Sequence, residues 1–166
     1  MKEANAWARA AGWLRLLNPR RAWLSGTVAG LCAAAAAAYC ARREGSTACA
    51  PINAVTHSLW PQRAVRERGF SVRHTVLGLG IHQAAAVFWA LMFERIVPRA
   101  PRADPAGVAV AAAATAATAY CVDYHVVPER LTPGFEAHLG PRSMTCVYVG
   151  IAVGLAAVAL LRRPQD

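Results

Sequence analysis

The sequence predicts an all-α membrane fold. The expected architecture is a four-helix transmembrane bundle with an N-terminal interfacial amphipathic helix and a helical interfacial cap between spans 1 and 2. Three observations predict it. The 166 residues are 56% hydrophobic and only 16% charged, against roughly a quarter charged in soluble domains. The apolar residues gather into four runs, each long enough to cross the roughly 30 Å of bilayer hydrocarbon. The charges gather between those runs. The length suits a single domain, 1–166.

Residues 1–18 place Trp7, Ala10, Ala11, Leu14 and Leu17 at helical spacing, with Lys2, Arg9 and Arg15 towards the other side. That is the pattern of a helix lying in a membrane surface. Asn18-Pro19 ends it. Residues 22–41 are the first span, with 20 consecutive uncharged positions. At 1.5 Å per residue this covers about 30 Å. PRRAWLS before an apolar run also has the form of a twin-arginine export signal, but three more apolar runs follow and no clear A-x-A site precedes Arg42.

Residues 42–71 form the cap. Ala50-Pro51 opens a short helix, whose apolar stripe is Ile52, Val55, Leu59 and Trp60. Pro61 interrupts it, and Gly69 is expected to stop one further turn. Ser71 is an N-cap for the second span, 72–97, which is uncharged from Val76 to Phe93 and ends at Glu94 and Arg95. Those two are expected to anchor the far interface, with the arginine reaching phosphates.

Residues 105–127 are the third span. Alanine inserts into lipid only marginally, so this helix is expected inside the bundle, where small residues allow close backbone approach. Residues 128–142 make a loop with a short helix opened by Thr132-Pro133 and ended by Gly140-Pro141. Residues 143–161 are the fourth span. Gly150 and Gly154 are spaced for a small-residue helix contact, within the bundle or between copies in a homo-oligomer.

The net charge of +9 and the pI of about 10.2 would suggest nucleic acid in a soluble protein. Here the arginines flank apolar runs, so the expected partner is the lipid bilayer and not nucleic acid. Four spans put both termini on one side, which holds 10 of the 18 basic residues. The positive-inside rule makes that side the cytoplasm and the cap face periplasmic. Cys32, Cys40, Cys49, Cys121 and Cys146 contain no CxxC and form neither a disulfide framework nor a zinc knuckle.

This topology gathers all five histidines on the cap face. The candidate ligand-binding residues are Asn53, His57, His74, His82, Asp123, His125 and Glu136. Asp123 is the anchor, because a carboxylate near the end of a membrane helix needs a partner. His57, His74, His82 and Asp123 are also the candidate metal ligands, since imidazole and carboxylate suit zinc, iron or copper. No HExxH or paired ExxH accompanies them, and His82 has no histidine at similar depth for a bis-histidine haem. No cofactor and no catalytic set is therefore expected. The plain reading, a hydrogen bond between helices, points to a structural or accessory membrane protein. The alternatives are a metal- or ligand-dependent membrane enzyme using the same residues, and a protein handling protons or a small solute.

Two stretches carry a resemblance. PINAVTHSLW at 51–60 and DYHVVPERLTPGFE at 123–136, with RHT at 73–75, resemble segments of short four-span inner-membrane proteins of bacteria that have no established activity. The resemblance runs from the cap to the last span. It implies a fold and a bacterial inner-membrane location, and no reaction.

Overall fold

A computed structural model describes residues 19–97 and 104–162. The amphipathic helix expected over 1–18 lies outside these residues. Among the described residues all regular structure is helical, with no strand. Helix α1 runs Pro19–Arg43, and the short helices α2, Ala50–Ala54, and α3, Pro61–Arg66, follow. A single π-helical turn, Val72–Val76, leads without a break into α4, Leu77–Ile96. Helices α5, Pro105–His125, and α6, Pro141–Leu161, complete the order. Four helices are long and apolar enough to cross a membrane: α1, α4 with its leading turn, α5 and α6. Large apolar side chains such as Leu31, Phe88, Val110 and Val153 stay exposed on their outer faces. These faces suit hydrocarbon.

Helix starts follow local chemistry. Proline stands in the first turn of α2, α3, α5 and α6, where its missing N–H is no loss. Asp104 caps α5 by accepting from the Ala106 and Gly107 amides, and Ser71 accepts from the His74 amide. Two local expectations are corrected. Pro141 begins α6 instead of closing the turn before it. Gly69 is not a left-handed stop, because positive φ among the described glycines occurs only at Gly45 and Gly134. Helix α3 ends at Arg66, and the Gly69 amide bonds the Glu67 carboxylate.

Helix α1 is the centre of the bundle. It packs along α6 on one side and α4 on the other, while α5 packs mainly on α6. In lipid there is no hydrophobic drive between helices, so close backbone approach and van der Waals contact hold them. A Cβ on Gly154 would lie 2.5 Å from the Ala29 Cα, and one on Gly150 would lie 3.2 Å from the Ala33 Cα. The Gly150/Gly154 face is thus filled by α1 of the same chain. On the other flank, a Cβ on Gly26 would lie 2.5 Å from the Val87 Cα. The alanine-rich helix expected inside is the peripheral one. Helix α5 packs mainly on α6 and only lightly on α4, whereas α1 packs closely on both α4 and α6. The reason is geometric: α1 has small residues on two flanks and takes two neighbours, whereas α5 buries one stripe, Val108, Ala112, Thr115 and Ala119.

Both connections at the α1 C-terminal end fold together as a lid. Asn53, fully buried, ties its own strand of the lid to the next: its amide nitrogen donates to the Glu67 and Gly69 carbonyls at 3.0 and 2.8 Å, and its oxygen accepts from Thr75 at 2.6 Å. The 126–140 connection contributes two single 3₁₀ turns, Glu129–Leu131 and Phe135–Ala137. It is bound to the first connection by Arg130 Nε donating to the Ser58 carbonyl at 3.0 Å and by Glu44, which accepts from the Gly140 amide at 2.8 Å and from the Ser143 hydroxyl.

Candidate functional site

Under the lid lies a cavity of about 160 Å³. It sits between the first half of α4 and the end of α5, against α6. Its lining is mostly apolar, with Ile81, Trp89, Phe135 and Ile151 among the contributors. The polar lining comes from His82, Asp123, Tyr148, Ser58 and Thr132.

Each polar group is set by its helix. Helix α5 ends at His125, so Asp123 is only two residues from the end. Tyr148 is seven residues into α6, about 10 Å along the axis. Helical side chains tilt towards the N-terminus, and the Tyr148 ring therefore reaches back to the lid end. Its hydroxyl donates to Asp123 Oδ2 at 2.8 Å. His82 is buried on α4 and bonds the Gly30 carbonyl of α1 through Nε2 at 2.9 Å. A carbonyl only accepts, so Nε2 carries the proton, and in the neutral ring Nδ1 presents a lone pair. Phe135 of the lid meets the His82 ring edge-on at 5.6 Å between centroids.

Of the seven candidate residues, only His82 and Asp123 line this cavity. The anchor's partner is Tyr148, not a histidine. His74 is buried in the lid seam, with Nδ1 2.7 Å from Thr56 Oγ1. Thr56 donates its proton to the Asn53 carbonyl at 2.8 Å, so His74 is the donor of that pair. Trp60 packs edge-on against its ring at 5.4 Å, and the Arg73 guanidinium lies 5.6 Å from the Trp60 ring centroid. His57 ties the two lid connections, with Nδ1 3.0 Å from the Ala54 carbonyl and Nε2 3.1 Å from the Glu129 carbonyl. His125 is exposed beside Tyr120. Glu136 is exposed and accepts from Thr132. Asn53 is engaged with backbone as described. The four candidate metal ligands are not gathered: among the described residues no three His, Cys, Asp or Glu groups are placed to hold a metal ion.

Sequence reasoning missed Tyr148, Trp89 and Phe135. Tyr148 carried a signal in being the one hydrogen-bonding aromatic residue within the fourth apolar run. It also missed the far end of the bundle. Glu94 is buried there, accepts from Ser25 at 2.6 Å and pairs with Arg162 through both carboxylate oxygens. Beyond the expected place at the far interface, the Glu94 carboxylate thus joins α4 to α1 and to the end of α6. Helix α6 stops at Leu161, and the extended backbone of Arg162 turns its side chain over the bundle.

Two lid groups outside the spans are electrostatically tuned. Glu44 is held below the ordinary carboxylate range by the Ser143 hydroxyl and then by the Gly140 amide. His138 is lowered by burial and then by the nearby Arg68 charge.

The four apolar helices define a multi-pass helical membrane protein. No family model matches the chain, and neither a curated protein nor a solved structure does.

Proposed function

We propose that this chain is a small accessory protein of the bacterial inner membrane, with both termini in the cytoplasm, whose lidded pocket receives a small, mostly apolar molecule from the bilayer. One observation carries the reading. The cavity lies where α4 and α5, which pack on one another far less than α1 packs on its neighbours, meet under the lid, and it combines apolar walls with a few polar groups, the usual make-up of a ligand site. The lid lies at the interface on the periplasmic side, and the opposite side's 10 of the 18 basic residues lean towards that orientation. The role is binding, not turnover. His82 is engaged with α1 through Nε2, and Asp123 with Tyr148, so both groups already serve the packing of the bundle.

The test is native mass spectrometry of the detergent-purified chain, with solvent extraction of anything retained. A co-purifying small molecule that is lost in Ala85→Phe, which fills the cavity from α4, supports the reading. Absence of any retained molecule, together with no thermal shift from ring-sized ligands, overturns it. Elemental analysis of the same sample covers the enzyme alternative: stoichiometric metal lost in Asp123→Ala would replace binding with metal chemistry.

A further inference from the structure

We propose that the pocket is built for a lipophilic amine in its ammonium form, with a body about the size of one aromatic ring. The inference rests on the pocket reading above and names its ligand class. Asp123 and His82 both line the cavity, and the hydrogen-bonding capacity each has left is that of an acceptor. Asp123 is a half-buried carboxylate with one hydrogen bond, from the Tyr148 hydroxyl. Among the described residues no arginine, lysine or histidine pairs with it. One neutral hydroxyl supplies a hydrogen bond but no countercharge, and an ionised carboxylate within lipid needs one. His82, with Nε2 engaged at Gly30, adds an Nδ1 lone pair.

Ser58 and Thr132 add hydroxyls to the lining, but its one carboxylate only accepts when ionised, and it favours a ligand that donates. An alcohol offers one proton, whereas an ammonium group offers up to three and the missing positive charge. The walls fit the same ligand. Trp89, Phe135 and Tyr148 place three aromatic rings around the cavity, and aromatic faces attract cations, most strongly where water is excluded. The volume of about 160 Å³ is close to that of a cavity of about 150 Å³ that takes one benzene ring. A longer apolar tail would leave along the seam between α4 and α5 into hydrocarbon.

The experiment compares three ring-sized probes on the full chain in detergent at neutral pH: benzylamine, benzyl alcohol and toluene. Binding is measured by ligand-observed NMR competition and by calorimetry. The expected result is benzylamine binding at least about tenfold more tightly than benzyl alcohol, as a charge-assisted hydrogen bond gives. Asp123→Asn, which keeps the shape and removes the charge, should erase that preference while benzyl alcohol binds as before. The ratio measured on the unmodified chain needs no variant to fold. Equal binding of the three probes overturns the amine assignment and leaves a neutral apolar pocket. Binding by none of them overturns the pocket itself.

Discussion

The Tyr148 hydroxyl and the Asp123 carboxylate are 2.8 Å apart, and this bond joins α6 to α5 next to the cavity. Tyr120 and Tyr124 pack around it, with ring centroids 5.2 and 6.3 Å from Tyr148. Removing the hydroxyl leaves the carboxylate without its donor in a half-buried place. Tyr148→Phe should lose about 1–3 kcal/mol of stability. Removing the acceptor charge as well relieves that penalty, so Tyr148→Phe/Asp123→Asn should lose less than the two single changes together. Thermal unfolding in detergent over the double-mutant cycle measures the coupling, and additive losses would show that the two groups do not interact.

Backbone contact between α1 and α6 makes a sharper prediction. Gly154 faces the Ala29 backbone so closely that its Cβ would fall 2.5 Å from Ala29 Cα. Neither backbone can yield without moving its helix. Gly154→Ala should therefore strongly lower the unfolding midpoint. Gly80 has nothing within 4 Å of a Cβ, and Gly80→Ala should gain up to about 1 kcal/mol from helix propensity. Opposite signs for the same substitution in two spans check the packing directly.

The far end of the bundle is held by Glu94 and Arg162, whose side chains are only 5% and 16% exposed. Breaking a buried pair by removing one partner costs up to about 3–5 kcal/mol. Arg162→Met removes both of its bonds to the Glu94 carboxylate and should destabilise towards that order. Arg162→Met with Glu94→Leu should recover part of it, because the buried carboxylate is then gone too. A double variant as unstable as the single one would show that the pair contributes more than mutual compensation. Trypsin resistance of the detergent-solubilised chain and its unfolding midpoint read this out.

The spans were legible because bilayer thickness imposes a length that uncharged runs declare openly. The Gly150/Gly154 contact was legible for a similar reason, since spacing alone puts both on one face. What the sequence could not supply was the rotation of each helix about its axis. Tyr148 is 25 residues from Asp123, and only the packing of α6 on α1 turns it that way. Arg162 shows its role only when the end of α6 is placed beside Glu94. Asn53, His57 and His74 read as pocket groups because they share an end of the molecule. Their side chains instead satisfy backbone and neighbouring side chains within the lid, which irregular segments need when buried.

Acid should loosen the lid in two steps. His138 is lowered from its ordinary 6.5 by burial first and the Arg68 charge second. Below that ordinary value the unfolded chain takes up the proton before the folded one does. Stability is then complete above about 6.5 and falls as pH drops towards the folded value. Glu44 is lowered from 4.5 by the Ser143 and Gly140 bonds, so its contribution falls in the same direction, beginning below about 4.5. His138→Gln should remove the upper step and Ser143→Ala should weaken the lower one. Unfolding midpoints measured from pH 8 down to about pH 2.5 check both. A midpoint that rises on acidification would contradict the assignment.

Gly134 is where the two lid connections meet, and it needs glycine twice over. Its φ is +79°, and a Cβ would sit 2.7 Å from the Ala54 carbonyl oxygen and 2.8 Å from His57 Nδ1. Gly45 has the same φ of +79° with nothing within 4 Å. The two positions share the backbone requirement and differ only in contact. Gly45→Ala should cost about 1–2 kcal/mol, the penalty of a left-handed residue bearing a Cβ. Gly134→Ala should cost that and also push the 128–139 segment off the His57 and Ala54 surface. The Glu129 carbonyl would then lose its bond to His57, and the roof of the cavity, Leu131 to Phe135, would lift. Hydrogen exchange resolves the difference. In Gly134→Ala the amides of Leu131, Ala137 and His138, bonded within this segment, should exchange much faster, whereas Gly45→Ala should leave them protected. Equal protection in both variants would mean that the lid is not held at Gly134.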